Sequence, residues 1–374
     1  MEITNPALSV LLGLAALVLL VLLALGLPHM HRRSAATAVR AGQAIVMNLA
    51  ALMCAGLVLN NQYLFYVSWS DLLEPTTAQA QQLTRGAGNQ GANVRIAPVV
   101  TEHSSFPPLP TPNSLEQRYT VHGTTSGVDA SVIVILPKGY STHPARRYPV
   151  LEMMTGYPGV PRSAFPAFDL RGSWSDLVDA HMIAAPIVVI PQINTPDNIV
   201  DTECVDDPTG RLPKTETWLA DDLPQWISQH FPVSSRRDHW ATIGYSYGGW
   251  CAAMLAMRHP ATFGGGVSIM GYFAPQFGGN YNPFKIDPAS GRGYQLGLLA
   301  RTRPPATSLL VMASKNDPES YPYIVQFLKQ VRSPMAVTSL VLKSGGHNID
   351  EIPTHLPQIM TWLSKSLAGF RYQS

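Results

Sequence analysis

The sequence predicts an open, mostly parallel β-sheet with helices on both faces, preceded by two membrane-spanning helices. Three observations predict it. From Ser114 onward about 260 residues alternate short apolar runs with amphipathic ones. Ala7–Leu27 is an apolar run of 21 residues without a charge. Within the alternating region, at Ala241–Met254, the stretch ATIGYSYGGWCAAM crowds Gly244, Ser246, Gly248 and Gly249 at the seam between a strand-like and a helix-like run.

The first run, ALSVLLGLAALVLLVLLALGL, is long enough for about 30 Å of hydrocarbon at 1.5 Å per residue. A secretory signal would begin with basic residues and carry a shorter apolar centre, whereas MEITN holds Glu2 and no Lys or Arg. A second span is read at about 41–60 in AGQAIVMNLAALMCAGLVL, interrupted by Gln43 and Asn48 and followed by YLFYVSW, whose aromatics suit a headgroup belt. The alternative is a helix packed on the first one or on the downstream domain. Between the spans lie Arg32, Arg33 and Arg40 with no acid. The positive-inside rule puts this loop in the cytoplasm, so everything beyond about residue 67 is extracytoplasmic. Residues 1–67 thus form a membrane anchor.

Charged residues make up 13% of the chain against roughly 25% in soluble domains, which suits a membrane-associated protein. A net charge of +2 with no basic, aromatic-interleaved run excludes nucleic acid as a partner. Cys54, Cys204 and Cys251 form no C-x-x-C, so no metal cluster is expected. Cys54 and Cys251 read as small buried apolar residues and Cys204 as a loop residue, and no disulfide is expected. No metal, flavin or nucleotide motif is present, and no cofactor is called for.

Residues 68–113, rich in Gln, Gly, Ser and Pro, read as a linker whose Pro-rich end hugs the following domain. The domain then spans 114–374. QRYTVHG and DASVIVILP suggest an opening antiparallel pair; YPVLEMMTG, PIVVIPQ, HWATIGYS, FGGGVSIMG, SLLVMAS and AVTSLVLKS suggest strands buried on both faces. SWSDLVDAHM, TETWLADDLPQWISQHF (kinked or broken near Pro224), YGGWCAAMLAMRH, YPYIVQFLKQVR and LPQIMTWLSKSLAG suggest the intervening helices. Tyr272–Pro305 breaks the alternation and reads as an insertion over the C-terminal edge of the sheet, or as a plain surface loop.

In GYSYGG the pattern G-x-S-x-G follows a strand and precedes a helix, the context of a nucleophile elbow. A serine on so sharp a turn needs neighbours without side chains two residues before and after it, which Gly244 and Gly248 supply. Ser246 is the candidate nucleophile, with the dipole of the following helix favouring negative charge beside it. A serine hydroxyl needs a base, and the base needs an orienting acid, in the chain order Ser, acid, His. Asp317 ends SLLVMASKND and His347 ends SLVLKSGGH, both at strand C-termini. Glu319 and His355 are the rivals, and Asp317 has an alternative reading as a helix cap. The oxyanion hole is assigned to the backbone N–H of Tyr247 and that of Tyr157 in TGYPG, where Gly156 permits close approach and Pro158 has no N–H. An ordinary β-turn is the alternative for TGYPG.

From about Gln117 to the C-terminus the chain resembles the esterase D and mycolyltransferase group of α/β-hydrolases. The likeness is clearest in TETWLADDLPQWISQHFPVSSRRDHWATIGYSYGGWCAAMLAMRHPATFGGGVSIMG. It implies Ser246, Asp317 and His347 as a triad, with the Tyr157 and Tyr247 amides as oxyanion donors. The trehalose-using members carry Asp-Gly-x-Arg where this chain has Thr155, Gly156, Tyr157 and Pro158, and Ser-Trp where it has Asn348 and Ile349. These departures point away from trehalose mycolyl transfer and leave acyl-ester chemistry, on an envelope lipid or glycolipid. The elbow also looks like that of prolyl-oligopeptidase-type peptidases, but about 113 preceding residues leave no room for propeller blades of about 40 residues each. A catalytically silent binding protein is the remaining alternative.

Overall fold

The runs offered as strands by the sequence all enter one nine-stranded sheet in the computed structural model, which describes residues 6–26, 33–63, 69, 81–85, 106–142, 147–197, 199–279 and 281–372. The strands are β1 (Gln81–Arg85), β2 (Glu116–His122), β3 (Asp129–Ile135), β4 (Val150–Met154), β5 (Ile187–Pro191), β6 (Trp240–Tyr245), β7 (Gly265–Ile269), β8 (Ser308–Ser314) and β9 (Ala336–Leu342). Their order across the sheet is β1-β9-β8-β7-β6-β4-β5-β3-β2. β4 to β9 run parallel, and β1 and the β2–β3 hairpin add antiparallel edges. Every residue of β4, β5, β6, β7 and β8 is buried, as helices on both faces of a parallel sheet require.

The chain divides into two compact units, Met1–Ala78 with Ser344–Asn348, and Gln79–Lys343 with Ile349–Ser374. In the first unit α1 (Pro6–Gly26) and α2 (Arg33–Tyr63) pack on each other. The Cys54 thiol donates to the Ser9 carbonyl at 3.3 Å, and a Cβ on Gly13 would lie 3.5 Å from the Cys54 sulfur. α2 begins at Arg33 and so takes in part of the loop expected between the spans. The remainder of that loop, and most of the aromatic run after Tyr63, lie outside the described residues. Among the described residues one helix, Ala41–Asn60, is long and apolar enough to cross a membrane, and Ala7–Leu22 is a shorter apolar helix.

The segment read as linker contributes β1, paired with β9 from Gln81↔Val341 to Arg85↔Val337. QQLTR has no apolar alternation to announce a strand, and an edge position does not require one. The rest of that segment up to residue 105 lies outside the described residues. Its Pro-rich end lies against the domain: Gln117, fully buried, bonds both the N–H and the carbonyl of Thr111 at 2.9 and 2.7 Å, and Leu109 packs on the core.

Six helices flank the sheet: α3 (Ser173–Asp179), α4 (Leu223–His230), α5 (Tyr247–Arg258), α6 (Leu296–Thr302), α7 (Tyr321–Gln330) and α8 (Glu351–Ser366). The break expected near Pro224 is instead a π-helical stretch, Trp218–Asp222, running directly into α4. A wide turn there lets Pro224, which has no N–H to give, sit in the first turn of α4 without interrupting the helical path. Within the Tyr272–Pro305 insertion the chain forms single turns and α6, and Tyr294 anchors it: its hydroxyl bonds Glu216, which also accepts from Arg258 Nε at 2.6 Å and pairs with His259 Nε2 at 2.8 Å.

The cysteines correct the sequence reading. Cys204 and Cys251 are joined in a disulfide, with Cα atoms 5.7 Å apart. The loop after β5 folds back over the first turns of α5, so residues separated by 47 positions meet in the buried core. Neither a loop cysteine nor a helix cysteine carries that information locally.

Candidate active site

The sheet order itself makes a cleft. From β4 the chain crosses outward to β5 and then returns to β6 on the other side of β4, after which β7, β8 and β9 all step away in the opposite direction. The loops leaving β4 and β6 therefore diverge at a switch point, where open α/β sheets bind their ligands. The loop after β4 carries Gly156 and Tyr157, and the turn after β6 carries Ser246.

Ser246 has φ 55° and ψ −123°, a conformation that costs an L-residue on the order of 1–3 kcal/mol. Its N–H bonds the Ile269 carbonyl at 2.8 Å, and its carbonyl accepts the Trp250 N–H at 3.1 Å as α5 starts. The glycines answer for the spacing. A Cβ on Gly244 would fall 2.2 Å from the Gly248 carbonyl oxygen, and one on Gly248 would fall 2.5 Å from the carbonyl oxygens of both Met154 and Thr155. A Cβ on Gly249 would meet the Ile269 oxygen at 2.7 Å. Strand, elbow and helix touch backbone to backbone, and no side chain fits between them.

Gly156 borders the nucleophile: a Cβ there would lie 3.5 Å from the Cβ of Ser246 and 2.7 Å from the Tyr245 ring. The Gly156 N–H is bonded to the phenol of Tyr245, whose pKa burial raises. Gly159 N–H closes a turn on the Gly156 carbonyl at 2.7 Å, so the β-turn reading of TGYPG holds as a description of the backbone. Tyr157 is 42% exposed, and its hydroxyl donates to the Ile199 carbonyl at 2.8 Å. Tyr247, directly after the nucleophile, is buried, and its phenol donates to Asn194 Oδ1 at 2.8 Å, lies 3.0 Å from Thr202 Oγ1 and accepts the Cys204 N–H at 3.2 Å.

Asp317 sits on the turn after β8, 1% exposed, and its carboxylate accepts the Glu319 N–H at 2.9 Å and the Ser320 hydroxyl. It thus organises the turn before α7, whose N-cap is Ser320 and not Asp317 as the capping alternative expects, while Glu319, its rival, is exposed. β9 ends at Leu342 on the same sheet edge, and His347 follows it in the chain, 8% exposed. His355, the rival base, is buried in α8 with its Nδ1–H on the Glu351 carbonyl at 2.8 Å, held by its own helix. The structure therefore brings Ser246, Gly244, Gly248, Gly156, Tyr157 and Tyr247 together where the loops after β4 and β6 diverge, and it sets Asp317 on the turn after β8, two strands away from β6.

The profile of a family described as "Putative esterase" matches residues 124–327, over half of the 374-residue chain. The chain belongs to this esterase family. An uncharacterized protein of Corynebacterium glutamicum is 25% identical over 259 residues, 66% of this chain and 60% of that protein. The chain thus spans about 60% of the length of the curated relative it matches. Among solved structures, a ferulic acid esterase aligns over 67% of this chain and 98% of its own with a TM-score of 0.57 at 17% identity. An S-formylglutathione hydrolase from Agrobacterium tumefaciens aligns over 67% and 95% with a TM-score of 0.54 at 16% identity. A fluorophosphonate-binding serine hydrolase of Staphylococcus aureus, solved with substrate bound, aligns over 66% and 97% with a TM-score of 0.51 at 16% identity. The fold of this esterase-family chain is that of the α/β-hydrolases.

Several residues around the esterase elbow escaped sequence reasoning. Asn194 and Thr202 hold the Tyr247 phenol, and Glu203, 1% exposed, accepts the Tyr272 hydroxyl at 2.8 Å. Burial, reinforced by the nearby Asp201 carboxylate, pushes the Glu203 pKa up to about 8. Glu152, in the middle of β4 opposite Thr242 of β6, is fully buried, and neither carboxyl oxygen has a hydrogen-bond partner. Burial alone drives its pKa well above the ordinary carboxyl value. Nothing in VLEMM or TECVDD separates these acids from surface ones.

Proposed function

We propose that this protein is a membrane-anchored, extracytoplasmic serine esterase or acyltransferase acting on carboxylic esters, with lipid or glycolipid acyl esters of the cell envelope as its substrates. The strained Ser246 beside the Gly156–Tyr157 loop carries the reading. In the mechanism, His347 takes the Ser246 proton as the hydroxyl oxygen attacks the ester carbonyl, and Asp317 orients the imidazole. The oxyanion is held by the backbone N–H groups of Tyr157 and Tyr247, each such donor being worth about 3 kcal/mol. Collapse breaks the ester C–O bond, His347 returns its proton to the leaving alcohol, and an acyl-Ser246 ester remains. Water or a sugar hydroxyl then gives its proton to His347, attacks the acyl carbon and releases Ser246, yielding an acid or a new ester.

Two observations support the location. Apolar side chains such as Leu11, Ile45 and Leu52 on α1 and α2 stand 56–69% exposed, more apolar surface than a water-facing helix pair carries. The Cys204–Cys251 bond belongs to an oxidising compartment. The anchor is proposed as both N-terminal helices, α1 and α2.

The deciding experiment is labelling of the full-length chain with a fluorophosphonate probe. Wild type is expected to label and Ser246→Ala is not; a folded wild type that stays unlabelled removes the serine-hydrolase reading. Assays with short and long acyl esters, with and without sugar acceptors, then assign acyl length and acceptor.

A further inference from the structure

The turn Asp201–Cys204 touches the elbow helix in a way that the triad does not explain. Tyr247, Trp250 and Cys251 stand at i, i+3 and i+4, one face of the first turn of α5. All three grip the same turn: the Tyr247 phenol accepts the Cys204 N–H at 3.2 Å, the Trp250 indole donates to the Glu203 carbonyl at 2.9 Å, and Cys251 is bonded to Cys204. Glu203 and Cys204 are held there at φ 46° and 50°, a conformation that non-glycine residues adopt only when their surroundings over-determine it. On its other side the turn holds the segment after β7: Tyr272 donates to Glu203 at 2.8 and 3.0 Å, the Gln276 N–H also bonds Glu203, and the Gly278 N–H donates to Asp201 at 2.7 Å.

We propose that the Asp201–Cys204 turn is a positioning strap for the oxyanion hole, fixing the Tyr247 backbone and the Tyr272–Gly279 segment in one register, with Glu203 as its pin. The proposal rests on the esterase reading, because it gives the strap the task of aiming the Tyr247 amide. The residue after the nucleophile must present its N–H within a few tenths of an ångström of the developing oxyanion, and its side chain is one of the anchors of that position. Here that side chain ends on Asn194, Thr202 and Cys204, and two of those three belong to the strap.

The pin has a charge state to keep. The groups facing the Glu203 carboxyl are Asp201 on its own turn, Tyr272 and the Gln276 N–H on the segment after β7, and Tyr247 on α5. No cation is among them. Tyr272 and the Gln276 N–H both donate to this carboxyl, whereas its ionised form stands beside the Asp201 carboxylate in a buried site. Ionisation near pH 8 sets two like charges on one buried turn, and the repulsion between Glu203 and Asp201 is expected to loosen the strap and lower turnover.

The test measures kcat and KM for a p-nitrophenyl ester from pH 6 to 9.5 on the full-length chain, with fluorophosphonate labelling run alongside. For wild type, kcat at pH 9 is expected to be about tenfold below that at pH 7, as one ionisation near pH 8 dictates. Glu203→Gln, whose amide oxygen still accepts from Tyr272 and which cannot ionise, is expected to bring that ratio close to one. The double variant Cys204→Ala, Cys251→Ala, checked for folding by thermal melting, is expected to lose about tenfold or more in kcat with KM within about threefold. A wild type that neither labels nor turns over overturns the esterase reading and the strap with it. An active wild type whose alkaline fall is absent, or persists in Glu203→Gln, overturns the strap alone. So does a folded double-cysteine variant with wild-type kcat.

Discussion

A Cβ on Gly244 would stand 2.2 Å from the carbonyl oxygen of Gly248, so the two glycines flanking Ser246 are in backbone contact across the elbow. Real Cβ atoms do not approach so closely, and the obstacle is main chain that cannot swing aside. The elbow therefore tolerates no side chain at either position without opening, and opening it moves Ser246.

Gly248→Ala places a methyl 2.5 Å from the carbonyl oxygens of Met154 and Thr155, where β4 enters the Gly156 loop. Overpacking of this kind costs on the order of 1–3 kcal/mol, and here it pushes the Met154–Gly156 backbone away from the Ser246 turn. The expected result is a lower Tm together with loss of fluorophosphonate labelling. Labelling at the wild-type rate contradicts the contact.

Glu152 predicts a protein that can be made more stable. Its raised folded pKa means that the full contribution is present below the unfolded value of about 4.5 and is lost as pH rises toward the folded one. Glu152→Met keeps the volume and removes the unsatisfied carboxyl, for a gain of about 1–3 kcal/mol at pH 7. Thermal melts from pH 5 to 8 are expected to show the gain growing with pH, and a variant less stable than wild type at pH 7 refutes it.

Glu216 has the opposite sign. Against the cost of burial, its bonds to His259 and Arg258 hold its pKa down to about 2 from an ordinary 4.5. The stabilisation is complete above about pH 4.5 and lost as pH falls through about 2, and it is on the order of 3 kcal/mol. Glu216→Gln leaves Arg258 short of its partner and frees Tyr294, so urea unfolding at pH 7 is expected to show a loss of about 3 kcal/mol or more. The gap between variant and wild type should narrow in acid.

The disulfide closes a loop of 47 residues in separation, for which chain entropy predicts about 4 kcal/mol. Non-reducing mass spectrometry of the full-length chain is expected to find Cys204 and Cys251 in one crosslinked peptide pair and Cys54 as a thiol. Alkylation of all three cysteines without a reductant excludes the bond.

Much of this architecture is local and so was legible in the chain itself. The eight strands from β2 to β9 and the helix after Ser246 are announced by runs of apolar residues and by glycines at fixed offsets, and the elbow pattern singles out Ser246 at the strained turn without coordinates. Only the tertiary structure decided what depends on residues distant along the chain. The polar QQLTR becomes β1 because β9 offers an open edge, Cys204 meets Cys251 because the loop after β5 folds over α5, and Glu152 and Glu203 lose their water because strands and helices close around them. Burial and pairing are properties of the assembled neighbours, and a side chain's own sequence context does not specify who those neighbours are.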